Sequence, residues 1–243
     1  ILAISGLHVG IIAGGSFYLG IRLGLTREMT KLLLMGMLPL YCIVAGGAPS
    51  VVRACLMVML FQLLSLGQKK LSPIILLCTI LMVLLLYNPL YLFHVGFQLS
   101  FFITFTLLMS AKVLQRLQGS GAIVQSLAVT IICQLCSMPI ILYYFHEFSI
   151  WGFLLNVIYI PIYTILLLPL TFAVFFLSII NAPFSDSLAI LLELLFSFVN
   201  KTAVFVSALP FTSLSFGKPS LLLFFILIAL IIVSFSFWES RSR

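Results

Sequence analysis

Apolar runs broken by short polar, basic or Gly-Pro turns follow one another along this chain, the pattern of membrane helices joined by loops. The first covers about Leu2 to Leu23 and ends among Arg22, Arg27, Glu28 and Lys31. The second, about Leu32 to Val44, stops at the helix breaker Gly46-Gly47-Ala48-Pro49. The third runs from about Val51 to Leu66 and ends at Gly67-Gln68-Lys69-Lys70; the fourth, about Pro73 to Tyr87, ends at Asn88-Pro89. The fifth, about Phe93 to Ala111, is followed by Lys112, Arg116 and a Gly119-Ser120-Gly121 turn, and the sixth covers about Ile123 to Tyr144. The seventh, about Trp151 to Ile180, is long, and Pro161 and Pro169 are expected to kink it. The eighth, about Ser185 to Ala208, carries Glu193, Asn200 and Lys201, which leaves open whether it spans or lies along the surface. The ninth runs from about Leu221 to Trp238, with Arg241 and Arg243 after it.

A helix crossing ~30 Å of hydrocarbon needs about 20 mostly apolar residues, so this chain has room for roughly seven to nine crossings. Composition agrees: 63% of the 243 residues are hydrophobic and 7% charged, where soluble domains are about a quarter charged. The expected fold is all-α, a polytopic integral membrane protein with roughly seven to nine membrane-associated helices. No stretch reads as a soluble domain, a charged tail or an arm.

Charge changes the picture by giving direction. Lys and Arg number 12 against five acids, a net charge of +7. Positive clusters follow segments one, three and five, and the loops after two, four and six hold no Lys or Arg. The first set is therefore expected in the cytoplasm and the second outside. Orientation explains most of these charges without nucleic acid. The five cysteines all lie in apolar segments; Cys133 and Cys136 form a C-x-x-C without a second pair, so they read as small apolar residues rather than zinc ligands. The chain starts at Ile1 within a motif-bearing helix, and reads as a fragment of a longer protein.

Candidate chemistry lies in four places. In the first helix, Gly6, Gly10 and Gly14 recur every four residues and form a small-residue face suited to close helix packing. Ser5 and His8 flank that face, and an ionisable histidine at membrane depth is a functional candidate or an internally paired structural group. In the second place, Ser50 is expected to cap a new helix with Arg53 in its first turn. The orientation rule supplies no reason for an arginine on the outer side, and the helix macrodipole opposes it there. Arg53 is the leading candidate, with anchoring to lipid phosphate as its structural alternative. Third, His94 and Gln98, then Ser100 and Thr104, are i,i+4 pairs that make one side of the fifth segment polar. Fourth, Asn156, Tyr159 and Tyr163 share one helical stripe in a proline-bearing segment. No Walker loop, Rossmann fingerprint, metal-ligand spacing or paired-carboxylate arrangement is present, so no catalytic residue, metal or cofactor is assigned and no enzyme is expected.

Three blocks in order, Leu2-Ala3-Ile4-Ser5-Gly6-Leu7-His8-Val9, Pro49-Ser50-Val51-Val52-Arg53-Ala54 and Gly96-Phe97-Gln98-Leu99-Ser100-Phe101, resemble the hallmark motifs of the ComEC-type competence domain. Asn156 to Pro161, with Pro169 beyond, is similar to a further Asn…Pro block of that family. The resemblance implies a multi-pass protein of the bacterial plasma membrane that conducts single-stranded DNA to the cytoplasm during transformation. Its implied translocation residues are Ser5, Gly6, His8, Ser50, Arg53, Gln98, Ser100 and Asn156, with Gly10 and Gly14 for packing. It also implies single-stranded DNA as passenger, the lipid bilayer as medium, an external motor or ATPase and a DNA receptor as partners, and leaves a homo-oligomer open. His94 departs from the pattern, standing where the family often has an acid. Full-length relatives carry an OB-like domain and often a metallo-β-lactamase-like domain, and neither lies in residues 1–243. The alternative is a secondary transporter for a small solute, which the broken second and kinked seventh segments also fit. An intramembrane hydrolase fits less well, lacking His/Glu pairs.

Overall fold

The computed structural model describes residues 6–68, 71–149, 151–180, 183–208, 213–215 and 219–240. Two compact units divide the chain, one formed by residues 1–112 with 229–243 and the other by 113–228. Four helical stretches among the described residues are long and apolar enough to cross a membrane: Pro49–Leu66, Val124–Phe145, Leu155–Ile179 and Ser185–Ser207. Three shorter apolar helices, Pro73–Tyr87, Val95–Met109 and Leu221–Ser234, accompany them. Burial agrees with a lipid environment: Leu38 is buried, while Val44 and Leu86 are 86% and 85% exposed, so large apolar side chains lie on the outer surface as well as in the core. The chain has the architecture of an integral membrane protein.

The first unit is built on helices α1 (Gly6–Arg22), α2 (Arg27–Val44), α3 (Pro49–Leu66), α4 (Pro73–Tyr87) and α5 (Val95–Met109). Each turn has a chemical cause. Thr26 caps α2 by accepting from the Met29 amide, and Ser72 caps α4 by accepting from Ile75. Gly46 ends α2 with φ +77, its amide on the Ile43 carbonyl and the Gly47 amide on that of Cys42. That pair of bonds is a Schellman ending, and its left-handed step favours glycine. Proline then starts α3 at the position where a missing amide hydrogen costs nothing. Asn88 Oδ1 accepts from the Leu90 amide and opens a 3₁₀ turn, Pro89–Phe93, ahead of α5.

Helix α3 is the hub, packing against α1, α2, α4 and α5. Val51, Ala54 and Cys55 on one side join Val9, Ala13, Leu34 and Leu38. Val52, Leu56 and Leu60 on another pack on Leu77, Ile80, Leu84, Phe97 and Phe101. Burying both sides leaves Arg53 between two apolar clusters.

Helix α6 (Ala111–Arg116) straddles the boundary between the units. The second unit contains α7 (Ala122–Phe145), α8 (Trp151–Pro161), α9 (Leu168–Ile179) and α10 (Ser185–Ser207). Helix α11 (Leu221–Ser240) crosses from one unit to the other. The kink expected at Pro161 and Pro169 takes the form of a π-helical turn, Ile162–Leu167, joining α8 to α9. A two-stranded antiparallel ribbon, β1 (Glu147–Ser149) with β2 (Ser213–Ser215), pairs Phe148 with Leu214 and is the one departure from an all-α chain among the described residues. Helix α10 is long enough to span despite Glu193 and Lys201.

Candidate functional site

The site forms where α1, α3 and α5 meet near their N-terminal ends. Pro49 occupies the first position of α3 and Ala48 its cap, so Ser50 does not cap the helix as expected and Arg53 lies two residues deeper, at the fifth helical position. Its side chain is 8% exposed. Arg53 Nη1 donates to the Ser100 carbonyl, which also accepts from Thr104 Oγ1 at 2.8 Å. The guanidinium carbon sits 6.0 Å from the centroid of the Phe101 ring, within reach of a cation–π attraction. Phe101 is held in turn by Phe97, with ring centroids 4.5 Å apart.

Gly6 makes room for this arrangement. A Cβ at that position would lie 2.7 Å from Arg53 Nη2 and 3.2 Å from the Ala54 Cβ. Any side chain there would displace a guanidinium that is buried and hydrogen-bonded.

The electrostatics are unbalanced. Among the described residues no carboxylate pairs with Arg53, and its Nε and the Ser100 hydroxyl are buried without hydrogen-bond partners. A buried cation without a counter-charge is costly, by several kcal/mol in ordinary cases. Among the described residues, the Ser100 carbonyl and the Phe101 ring face offset that cost. Such a site has spare capacity for an oxyanion, which would supply both charge and acceptors.

The other expected residues fall into place unevenly. Gln98 Nε2 donates to the Leu92 carbonyl at 2.7 Å and ties the start of α5 to the 3₁₀ turn. His94 is the exposed N-cap of α5 and makes no side-chain cap bond. An acid at that position would be favoured by capping and by the helix dipole, and His94 supplies neither contribution when neutral. His8 and Ser50 are half-buried in the first unit, and Asn156 is half-buried in the second. Ser5 lies outside the described residues. Among the described residues nothing lies within 4 Å of a Cβ added at Gly10 or Gly14, whereas close approaches of α1 occur at Gly6 and at Gly20, whose added Cβ would meet Thr30 Cγ2 at 2.6 Å. Regular spacing defines a face but not which part of it meets a neighbour.

Two contacts carry no sequence signal of their own. Lys31 Nζ donates to Ser65 Oγ, bridging α2 and α3 at the opposite end of the unit. In the second unit Tyr159 Oη lies 2.8 Å from Thr202 Oγ1 and joins α8 to α10.

Comparison with known proteins bears directly on this geometry. The Competence protein family matches residues 1–241. The chain belongs to that family. The three blocks that bring Gly6, Arg53 and Ser100 together are therefore parts of one family domain. ComE operon protein 3 of Bacillus subtilis (strain 168) is 39% identical over 242 residues, 100% of this chain to the nearest per cent. The chain spans 31% of that relative's length. No solved structure matches.

Proposed function

We propose that this competence domain is a membrane conduit for single-stranded DNA, carrying the strand across the bacterial plasma membrane during transformation. The observation that carries the reading is the convergence of Gly6, Arg53 and Ser100 on one buried, uncompensated cation with an unused donor. A passing phosphate oxygen supplies the missing charge and accepts from Arg53 Nε, with the Ser100 hydroxyl beside it. His8, Gln98 and, in the second unit, Asn156 add neutral polar contacts, and aromatic side chains permit stacking without regard to sequence. Contacts of this kind stay weak one by one, which lets a strand move on. The domain performs no chemistry of its own, and an external motor and a receptor supply force and strand.

The test is uptake of labelled DNA by cells making the full-length protein. Arg53→Gln keeps an amide donor for the Ser100 carbonyl and leaves no buried charge, so protein level should hold. Internalisation should fall about tenfold or more, matching a lost charge-assisted contact of about 1.5–3 kcal/mol. Arg53→Lys should keep part of the activity, because the charge stays while the planar fork is lost. Full uptake at normal abundance in Arg53→Gln would exclude phosphate contact at Arg53. Undiminished DNA uptake in a deletion strain would instead favour the small-solute transporter, to which the π turn between Pro161 and Pro169 also lends itself.

A further inference from the structure

A second built feature lies at the opposite end of the first unit. The C-terminal turn of α3 and the start of α4 enclose an apolar groove of about 550 Å³, walled by Phe61, Leu64, Leu71 and Leu76 and edged by Ser65 and Gln68. Lys31 of α2 reaches its rim, with Nζ donating to Ser65 Oγ. An ammonium group has three hydrogens to give, and the serine takes one. Among the described residues no carboxylate forms an ion pair with Lys31.

The charged residues that flank these helix ends in sequence are mostly basic. Arg22 ends α1, Arg27 begins α2, and Lys69 and Lys70 follow α3 in sequence, against the single acid Glu28. Gly20 against Thr30 and Lys31 against Ser65 draw the ends of α1, α2 and α3 together. Arg22 is already engaged, with Nε on the Tyr18 hydroxyl at 2.9 Å and its guanidinium carbon 5.4 Å from that ring's centroid. Among the described residues, Lys31 is the cation seen bonded to a residue that lines the groove, Ser65.

An apolar trough with a lysine and a serine at its lip suits an amphipathic anion. By the orientation of the basic loops this end faces the cytoplasmic leaflet, where anionic lipids and basic pockets between helices meet. We propose that the groove binds one anionic phospholipid, its phosphate on Lys31 and Ser65 and the upper part of an acyl chain along Phe61, Leu64 and Leu76. The volume fits a headgroup and part of one chain, within the usual range of about 300–1,000 Å³ for small-molecule sites. The rest of the lipid stays in the bilayer. The site is separate from Arg53, about 18 Å away along α3 at 1.5 Å per residue.

The test uses full-length protein, stripped of lipid in detergent and offered equal parts of phosphatidylglycerol and phosphatidylcholine, with retained lipid read by native mass spectrometry. Phosphatidylglycerol should be retained in about tenfold excess. Lys31→Gln should abolish that excess and Lys31→Arg restore it, with circular dichroism unchanged in both. Inorganic phosphate in large excess should fail to displace the lipid. Equal retention of the two lipids by the wild type, an unchanged excess in Lys31→Gln, or displacement by inorganic phosphate would each overturn the proposal. DNA uptake scored in the same variants reports separately on the conduit.

Discussion

At Gly6 a missing side chain decides where a charge can sit, because the Arg53 guanidinium occupies the space that a Cβ would fill. Gly6→Ala in the full-length protein should therefore destabilise by about 1–3 kcal/mol, the usual cost of overpacking. Gly10→Ala removes no space that anything uses, and should leave stability unchanged or raise it by up to about 1 kcal/mol through helix propensity. Denaturant or thermal unfolding in detergent compares the two directly, and equal effects at both positions would contradict the packing at Gly6. Sequence reading singled out Gly6, Arg53 and Ser100 because polar or glycine residues at membrane depth are rare and therefore informative. It could not distinguish Gly6 from Gly10, which share a face, since the difference lies in the height at which α3 crosses α1. Phe101 and Lys31 were missed for a related reason: one more phenylalanine among 23, or one more basic loop residue, carries no local signal.

Helix boundaries were the most legible level, because breakers and caps act locally. Pro73–Tyr87 was expected and observed with the same ends, and the Gly46-Gly47-Ala48-Pro49 stop emerges as a Schellman ending followed by proline at the first helical position. The segment around Pro161 and Pro169 was read as kinked, but a proline tells only that an amide hydrogen is lost. Whether the helix breaks or widens into a π turn depends on what packs beside it, and here α10 supplies the packing. The Tyr159–Thr202 contact pins α8 to α10 just before that turn. A double-mutant cycle of Tyr159→Phe and Thr202→Val should return a coupling of about 0.6 kcal/mol, the average for hydrogen bonds between membrane helices. Additive effects of the two changes, read by unfolding in detergent, would show that the packing of Tyr159, Leu167 and Val199 holds these helices without the hydroxyl pair.

Across the first unit, five helices alternate in direction, and this turns a charge count into a prediction about sidedness. Gly6, Arg53 and Ser100 lie near the N-terminal ends of α1, α3 and α5, so those three ends share one side. The contacts Gly20–Thr30 and Lys31–Ser65 place the end of α1, the start of α2 and the end of α3 on the other. Arg22 and Arg27 belong to that second side and Lys69-Lys70 follow α3 in sequence, whereas the Gly46-Gly47-Ala48-Pro49 and Asn88-Pro89 turns belong to the first. The positive-inside rule then puts the Lys31 groove at the cytoplasmic leaflet and Arg53 toward the exterior, where an incoming strand would meet it. Single cysteines at positions 27, 70 and 116 should resist an impermeant thiol reagent in intact cells, and cysteines at 48 and 88 should react, in a protein from which the five native cysteines have been removed. Lysis should make the first three reactive, which guards against mistaking burial for sidedness. Labelling at 70 but not at 48 in intact cells would reverse the orientation, carrying Arg53 to the cytoplasmic face and the groove to the outer leaflet. Both the proposed entry point for DNA and the proposed lipid would then have to be reassigned together, because one alternation of helices sets the two sites at opposite ends.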